Sequence, residues 1–553
     1  MEQVKIKLND REFLVEKDTS IIDFINSYGI QNSSPILGAI VNNESKSLNY
    51  KVNSDIELKF IDYNSPVGVE IYRKSLLLLF IKVCEEFYPE ANVVVRHSIN
   101  KGVFCELKNC PVPINEDLRK RIDERMRELV NEKIPFVRRK VTKEEAKEIF
   151  TKLDQPDKIG VIDSLNRDMV TIYSCGDWSD YFYGYLVPNS SFLTVFEIRL
   201  YEGGFIIRYP QKGDFYHLPP YSDQKKLFEI FKEFKKWNEI LGVENVTMLN
   251  KIIKQDRIRE YMMIAEALQE KKYAKIADMI KENPEKKIVL IAGPSSSGKT
   301  TSSYRLTVQL MVNGIKAIPI ALDDYFVNRD RTPIGEDGKP DFESLHAVDL
   351  DLFNQHLKML LNGEEVELPI FDFKVGMRKV GGRKLKLEEN QVLIFEGIHA
   401  LNDELTRDIP QENKFKIYIS ALTSLNIDDH NSISTSDSRL LRRMVRDYKY
   451  RGHSPERTLE LWDAVRRGED RNIFPYQENA DVVFNSAMFY EISVLRPIVE
   501  PLLEEIKQDS NFYPKAKAML NFIRYFEPVP SESVPENSII REFIGGSCFQ
   551  PED

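Results

Sequence analysis

The sequence predicts a multidomain chain of mixed α/β and α+β class, whose C-terminal half contains a parallel sheet with helices on both faces. A length of 553 residues exceeds what one hydrophobic core organises, so about three or four domains are expected. In residues 286–510, apolar β-branched runs alternate with stretches of helical periodicity, which favours parallel strands joined by helices. Residues 1–62 alternate apolar and polar side chains in short runs, which predicts a small β-rich domain.

The composition is typical of a folded, water-soluble chain. Hydrophobic residues make up 42% and charged residues 30%, and the formal net charge is −10. Such an acidic chain is not expected to coat nucleic acid, although a local basic patch could bind a phosphate-bearing ligand. The apolar run 75–83 is too short to span a bilayer and the first residues do not read as a signal peptide, so we expect a cytoplasmic protein. Five cysteines without C-x-x-C spacing argue against disulfides and against structural zinc.

Residues 1–62 are expected to contain five strands and one helix. Runs 4–8 and 11–16 predict a hairpin, and a helix capped by Thr19 should follow. Further strands are expected at 39–43, 46–52 and 56–61. This pattern resembles the TGS domain, a ubiquitin-like module of threonyl-tRNA synthetases and some GTPases. The resemblance implies either a contact module for RNA or another ligand, or a docking domain without a ligand.

Residues 63–214 resemble the second additional, editing-type domain of threonyl-tRNA synthetase. The similarity is carried by the stretches 71–91, 102–107, 116–130, 141–150 and 173–191. In that family a His-x-x-x-His pair and a Cys-x-x-x-His pair build the pocket, and the matching positions here are Lys74, Leu78, Phe182 and Leu186. Leucine and phenylalanine cannot act as a base, a metal ligand or a hydrogen-bond donor. We therefore expect the fold to be kept without aminoacyl hydrolysis.

Residues 215–285 predict a helical connector. Apolar and aromatic side chains recur at steps of three and four residues in 227–241 and again in 258–280, and Asn283 with Pro284 ends the pattern. An aromatic stripe at this spacing is typical of core packing, and we expect it to join the N-terminal half to the C-terminal half.

A phosphate-binding loop follows the connector. The buried strand predicted at 288–291 leads into the pattern G-x4-G-K-T, and a helix should start near Thr300. Glycines allow backbone N–H groups to surround a polyphosphate, Lys299 supplies a positive charge, and the Thr300 hydroxyl can ligate Mg²⁺. The residues expected to contact the nucleotide are Gly293, Pro294, Ser295, Ser296, Ser297, Gly298, Lys299, Thr300 and Thr301.

Three carboxylates are expected beside this loop. The predicted strand 316–322 runs directly into Asp323 and Asp324, and the strand 391–397 places Glu396 near its end. Ligands of open α/β sheets bind at the carboxyl ends of the strands, so these side chains should converge. One aspartate can accept a proton from an attacking hydroxyl while its neighbour helps to hold a metal. The predicted Mg²⁺ ligands are Thr300, Asp323 and Glu396.

Arginines cover one face of a helix predicted from Asp437 onward. Arg439, Arg442, Arg443 and Arg446 are spaced to share that face, and apolar side chains lie largely opposite. Such a face repels itself unless an anion binds to it, so we expect it to contact phosphates; the alternative is a solvated charged helix.

Together, these motifs in residues 286–505 resemble the uridine kinase and phosphoribulokinase family. The resemblance implies ATP and Mg²⁺ as cofactors and phosphoryl transfer to a hydroxyl of a nucleoside, with Asp324 as the catalytic carboxylate. It also implies that Glu343 binds the sugar hydroxyls of the acceptor and that Arg443, Arg446 and Arg451 belong to a lid that closes over ATP.

The stretch that reads the base in uridine kinases departs from their pattern. Phe371 replaces a tyrosine, and Gly376 stands near the position of a base-contacting histidine. Two hydrogen bonds to a pyrimidine are therefore missing, which leaves the accepted base open. We expect either broad nucleoside acceptance or a base that fills the space opened by Gly376.

A second interpretation makes the chain a regulatory protein that binds ATP. Its synthetase-like half would contact tRNA or a nucleotide signal, and nucleotide binding would only change its shape. The retained Asp324 and the arginine face favour the enzyme. Residues 511–553 are rich in proline and predict an extended tail, and the sequence leaves open whether the chain forms a homo-oligomer.

Overall fold

The N-terminal region of this computed structural model forms a mixed sheet with one helix packed on it. The structure describes residues 2–549 except 166, 336, 337, 339, 373, 374, 380 and 424. The first elements are β1 (Gln3–Leu8), β2 (Arg11–Glu16), β3 (Thr19–Ser20), α1 (Ile21–Ser27), β4 (Ile36–Val41), β5 (Glu44–Lys46), β6 (Lys51–Val52) and β7 (Ile56–Asp62). The main sheet has the order β2-β1-β7-β4-β5, and the predicted hairpin of β1 with β2 is confirmed. The cap of α1 is Ser20, whose hydroxyl accepts from Asp23 N, and not Thr19 as predicted.

The next region surrounds one long buried helix. Its elements are α2 (Pro66–Phe87), β8 (Asn92–Ile99), β9 (Gly102–Lys108), α3 (Glu116–Glu132), β10 (Phe136–Thr142), α4 (Lys143–Lys152), α5 (Pro156–Ser164), β11 (Met169–Cys175), β12 (Trp178–Asp180), β13 (Glu197–Tyr201) and β14 (Gly204–Arg208). Two antiparallel sheets form, β13-β14-β9-β8 and β10-β11-β12. The apolar run 75–83, which the sequence singles out, lies in α2 and is buried against these strands and α3.

Three helices join this region to the C-terminal half: α6 (Lys225–Leu241), α7 (Val246–Lys254) and α8 (Ile258–Lys281). The aromatic stripe predicted on α6 contacts both halves. Phe231 stacks on His97 of β8 with ring centroids 3.3 Å apart, and it also belongs to the core of the C-terminal sheet. Phe228 packs edge-on against Phe104 of β9. The sequence prediction that this stripe is a packing surface is confirmed.

A five-stranded parallel sheet forms the centre of the C-terminal half. The helices and strands of this half, up to residue 485, are β15 (Ile288–Ala292), α9 (Lys299–Val312), β16 (Lys316–Ala321), α10 (Leu350–Leu361), β17 (Glu365–Glu367), β18 (Ile370–Asp372), β19 (Met377–Lys379), β20 (Lys384–Lys386), β21 (Gln391–Glu396), β22 (Lys414–Ser420), β23 (Asn426–Asp428), β24 (Asn431–Ser432), α11 (Thr435–Arg451), α12 (Pro455–Asn472) and β25 (Val482–Asn485). The parallel sheet itself has the strand order β16-β21-β15-β22-β25. Alternate residues of β15 face α8 and α9 on one side and α6 and α10 on the other, so helices cover both faces.

Two segments differ from what their sequences predict. The polar run 426–437 predicts a loop, but residues 426–432 within it form the hairpin of β23 and β24, which is buried against the N-terminal half. Asn426 Nδ2 donates to Val95 O at 2.8 Å, and Val95 N donates to Asp429 O at 2.8 Å. The hairpin is polar because its side chains pair across this interface, as His430 does with Asp180.

The C-terminal tail is also folded rather than extended. After α13 (Glu491–Glu504) it contains α14 (Tyr513–Ile523) and the short helix α15 (Arg541–Ile544). Several of its apolar side chains are fully buried, among them Phe526, Ile539 and Phe543. Among the residues that the structure describes, no helix is both long enough and apolar enough to cross a bilayer.

Candidate active site

The phosphate-binding loop connects β15 to α9 as predicted. Gly298 has φ +82°, and a Cβ added to Gly293 would lie 2.0 Å from Ile419 O, so both positions require glycine. Ser296 adopts φ +58°, which turns the loop without a third glycine. Ser297 and Pro294 lie in the buried turn, where Ser297 N donates to Pro294 O at 3.2 Å. The chain therefore curls tightly around the place where an anion would bind.

Lys299 points back into its own loop. Its Nζ donates to Gly293 O at 2.9 Å and to Pro294 O at 3.3 Å. Burial lowers the pKa of Lys299, while the carboxylates of Glu396 and Glu542 act in the opposite direction. A buried ammonium held only by carbonyl oxygens is ready to pair with a stronger anion, such as a phosphate.

Thr300 and Glu396 meet at the carboxyl edge of the sheet. The Thr300 hydroxyl donates to Glu396 Oε1 at 2.9 Å. Burial raises the pKa of Glu396 to about 7, and the positive charge of Lys299 only partly offsets this effect. Asp323 is exposed, and it lies near enough to affect the pKa values of both Lys299 and Glu396.

This donor set fits Mg²⁺. A hydroxyl and carboxylates are hard oxygen ligands, and Mg²⁺ commonly takes one or two carboxylates together with water and substrate phosphates. A bound cation would also stabilise the ionised form of Glu396, which burial disfavours. Among the described residues there is no separate cluster of three or more His, Cys, Asp or Glu side chains arranged to hold a metal.

The predicted acceptor residues line the same edge. Phe371 N donates to Asp324 Oδ1 at 3.2 Å, so strand β18 holds the aspartate in place. Burial raises the pKa of Asp324. Glu343 lies against α12, because a Cβ on Gly468 would come within 3.2 Å of its Cγ. Burial and the nearby Glu469 raise the pKa of Glu343, whereas Arg443 and Lys299 lower it. Glu343 therefore lies near both the phosphate-binding loop, which contains Lys299, and α11, which contains Arg443.

The expectation of open space at Gly376 is wrong. Gly376 has φ +75°, and a Cβ at this position would lie 2.2 Å from Arg329 Cδ and 2.4 Å from Arg329 Nε. The backbone of Arg329 also donates to Gly376 O at 3.0 Å. The side chain of Arg329 therefore fills the volume that the sequence assigned to a base. Glycine is needed at 376 for this contact and for the positive φ.

We name α11 (Thr435–Arg451) the lid helix. Three of its arginines point toward Asp447, which is fully buried: Arg443 Nε lies 3.1 Å from Asp447 Oδ2, and Arg446 Nη2 lies 2.8 Å from Oδ1. Arg451 Nη1 is 3.4 Å from Asp447 Oδ1. Arg443 also donates to the hydroxyl of Ser295 in the phosphate-binding loop at 2.8 Å. The three predicted lid arginines are thus gathered around one carboxylate next to the loop.

The other two arginines of the predicted face have a structural role. Arg439 forms a bidentate ion pair with Glu469, and Arg442 forms an ion pair with Glu491. All four side chains are buried. Arg439 and Arg442 therefore do not contact phosphates as the sequence predicts for the whole face, because their carboxylate partners come from α12 and α13. Glu469 additionally accepts from Ser295 N at 2.9 Å, which fixes the lid helix to the loop.

The four positions that match the editing pocket also lie together. Lys74 Nζ donates to Tyr183 O at 3.0 Å and lies 3.5 Å from the centroid of the Tyr183 ring. Leu78, Phe182 and Leu186 are buried in one apolar cluster. None of these three side chains can donate or accept a hydrogen bond that would hold a hydrolytic water.

Sequence reasoning did not find the contacts from the tail. Glu542 Oε2 accepts from Thr301 N at 3.1 Å, and Ile539 packs on Gly298. The only available signal was the group of apolar side chains at Ile539, Ile540, Phe543 and Ile544. Glu469 was missed as well, because nothing in its local sequence distinguishes it from a surface carboxylate.

A sheet of this order with this loop and these carboxylates at its edge defines a P-loop phosphotransferase fold. Comparison with known proteins agrees. Residues 288–493 match the model of the phosphoribulokinase / uridine kinase family. A uridine kinase of Bacillus pumilus is 32% identical over 197 residues, which are 35% of this chain and 84% of that enzyme. The chain belongs to the phosphoribulokinase / uridine kinase family.

The N-terminal region is similar to a different kind of protein. A threonine–tRNA ligase of Clostridium kluyveri is 28% identical over 189 residues, which are 34% of this chain but only 30% of the ligase. The chain therefore fuses a kinase-family domain to a region that resembles part of a tRNA ligase. Among solved structures, a possible uridine kinase from Bacillus stearothermophilus covers 36% of this chain and 88% of its own, at 19% identity and a TM-score of 0.24.

Proposed function

We propose that the protein is an ATP- and Mg²⁺-dependent kinase that phosphorylates a hydroxyl of a nucleoside or of a similar sugar-bearing acceptor. The observation that carries this proposal is the convergence of Lys299, Glu396 and Asp323 at one edge of the sheet. Asp324 follows Asp323 in the chain, and Arg443 of the lid helix is hydrogen-bonded to the phosphate-binding loop. Phosphoryl transfer needs positioning and charge stabilisation more than covalent chemistry, and this edge offers both.

Each side chain then has a defined part in the reaction. The acceptor hydroxyl gives its proton to Asp324 as its oxygen attacks the γ-phosphorus in line, and ADP leaves on the opposite side. The raised pKa of Asp324 makes it a better proton acceptor near neutral pH. Lys299 and the loop amides bind the phosphates, and Thr300, Asp323 and Glu396 would hold Mg²⁺, which supplies positive charge at the phosphates.

The lid arginines would leave Asp447 for the nucleotide. The carboxylate of Asp447 is shared by Arg443, Arg446 and Arg451. One negative charge does not neutralise three guanidinium groups, so a net positive charge remains. An incoming polyphosphate provides the missing negative charge, and closure of the lid helix would exclude water from the transfer.

The acceptor site is proposed to select more strictly for the sugar than for the base. Glu343 is placed to bind a diol, because its carboxylate can accept two hydrogen bonds. At the base position the side chain of Arg329 replaces the space expected from the sequence, and Phe371 offers only an apolar surface beside Phe326. A base contacted by one guanidinium and an aromatic ring would be selected less sharply than by paired hydrogen bonds.

The regulatory alternative is favoured by one observation. The hairpin of β23 and β24 is held by the synthetase-like half, and two residues separate it from the lid helix. A ligand bound to the N-terminal half could therefore shift the lid through this hairpin. In that case the N-terminal half would be a sensor, and the TGS-like module a contact site for RNA or a nucleotide.

Radiolabelled ATP offered with a panel of nucleosides and sugars tests the proposal. We expect labelled product with at least one acceptor in the wild type and none with Asp324→Asn. Asp351→Asn, which changes a carboxylate that is 89% exposed on α10, is the matched control and should retain activity. ATP hydrolysis that is independent of every acceptor, or no turnover at all, would favour the regulatory alternative.

A further inference from the structure

The C-terminal tail covers the phosphate-binding loop. The segment 538–546, which contains the short helix Arg541–Ile544, lies across the start of α9. Its main contacts are with the loop itself, with the lid helix and with Tyr490. The docked segment therefore contacts the loop to which the sequence assigns the nucleotide phosphates.

The first contact is electrostatic. The first N–H groups of a helix have no partner within the helix, and in α9 they face the anion site. Thr301 N is one of these groups, and it donates to Glu542 Oε2 at 3.1 Å. A carboxylate at this position uses a donor and a positive field that a nucleotide phosphate also requires. Glu542 further contributes negative charge at Lys299 and raises the pKa of Glu396.

The second contact is steric. A Cβ placed on Gly298 would lie 2.4 Å from Ile539 Cδ1, so the tail touches the loop at the glycine that precedes α9. Ile539 is fully buried by this contact. Apolar packing of this kind holds the segment in place independently of the charge on Glu542.

The third contact involves the lid helix. Lys449 Nζ donates to Ile544 O at 2.8 Å, and the guanidinium of Arg442 lies 5.1 Å from the centroid of the Phe543 ring. The tail is therefore attached to both parts that must rearrange around ATP. Displacing it frees the loop amide and the lid helix together.

We propose that segment 538–546 is an intrinsic competitor of the nucleotide, in which the carboxylate of Glu542 takes the place of a phosphate group. The tail-docked state binds ATP poorly, and ATP binds to the fraction of molecules in which the tail has left the loop. The apparent dissociation constant for ATP is then the intrinsic value divided by that fraction. This inference rests on the nucleotide-binding part of the proposed function and not on the identity of the acceptor.

Calorimetric titration of the full-length protein with Mg·ADP and Mg·ATP tests the competition. Glu542→Gln keeps the shape of the side chain but removes its charge, and we expect it to bind both nucleotides at least about threefold more tightly than the wild type. Glu532→Gln is the matched control, because it removes an exposed carboxylate from the same tail and should leave affinity unchanged. Unchanged or weaker binding by Glu542→Gln would show that Glu542 only caps α9, and would overturn the proposal.

Hydrogen exchange supplies a second measurement that needs no variant. The docked segment has protected amides, for example Gly545 N, which donates to Arg541 O at 2.9 Å. Saturating Mg·ADP should accelerate exchange across 538–546 at least about tenfold in the wild type. Unchanged protection at saturation, or no nucleotide binding by either the wild type or Glu542→Gln, would overturn the inference. Tighter binding by the variant without phosphorylation of any acceptor would instead contradict only the proposed kinase activity.

Discussion

Replacing Glu396 by glutamine should make the protein more stable at alkaline pH while removing its Mg²⁺-dependent turnover. The pKa of Glu396 is raised to about 7 in the folded chain, against about 4.5 for a free glutamate side chain. The folded state therefore holds this proton more tightly than the unfolded state. Ionising the buried carboxylate costs stability, and this cost grows as the pH rises from 4.5 and is complete above pH 7.

The size of the effect follows from the difference between the two pKa values. One pKa unit corresponds to about 1.4 kcal/mol, so the full penalty is at most about 3 kcal/mol. Glutamine resembles the protonated side chain, and the variant should match the wild type near pH 5 and exceed it near pH 8. For a domain of this size, 1 kcal/mol shifts Tm by roughly 2–4 °C, so we expect a gain of up to about 6–12 °C at pH 8.

Differential scanning calorimetry at pH 5 and pH 8, without nucleotide or Mg²⁺, measures this difference. Glu389→Gln is the control, because Glu389 is exposed in the turn before the same strand and its substitution should give the same Tm as the wild type at both pH values. A variant that is equally stabilised at both pH values, or less stable than the wild type at pH 8, would refute the assignment of a buried, high-pKa carboxylate.

The remaining predictions concern the catalytic groups, the lid, the base position and the N-terminal half. Lys299→Ala should abolish transfer and weaken ATP binding, whereas Asp324→Asn should abolish transfer with ATP affinity retained; near-normal turnover of Asp324→Asn would exclude it as the base. Asp447→Asn should destabilise the free protein by about 3–5 kcal/mol, because it leaves three arginines without their shared carboxylate; an unchanged Tm would contradict this role. Gly376→His should lower Tm and should not create uridine selectivity, because the new side chain collides with Arg329. Selectivity above about 10³-fold for uridine over other nucleosides, in the wild type or in the variant, would refute this account of the base position. The full-length protein should not deacylate Ser-tRNA above background, and measurable release of serine would show that another group positions water.

Local patterns predicted the elements that carry local chemistry. The strand, loop and helix from Ile288 to Val312 follow from an apolar run, two glycines and a helical period, and each appears where expected. Asp349, which directly precedes the helical run 350–361, caps α10, and its Oδ1 accepts from Leu352 N at 3.1 Å. These features depend on residues that are close together in the chain, so they can be predicted from the sequence alone.

Long-range pairing could not be predicted in the same way. Arg439 and Arg442 belong to the same helical face as Arg443, and only the arrival of Glu469 and Glu491 from other helices gives them a different role. The position of Arg329 over Gly376 likewise depends on two segments that are distant in sequence. A charged side chain is buried where an oppositely charged partner lies beside it, and a single sequence does not identify that partner.

The buried hairpin of β23 and β24 has a consequence for how such a fusion changes over evolutionary time. His430 and Asp428 are almost completely inaccessible to solvent, and His430 finds its partner, Asp180, on the other half of the chain. Separation of the two halves would leave polar groups without partners on both fragments, at a cost of about 1–3 kcal/mol for each group that water does not reach. A gene that splits after acquiring this hairpin would therefore encode two less stable products. The hairpin makes the fusion difficult to reverse, even in a lineage that no longer needs the N-terminal half.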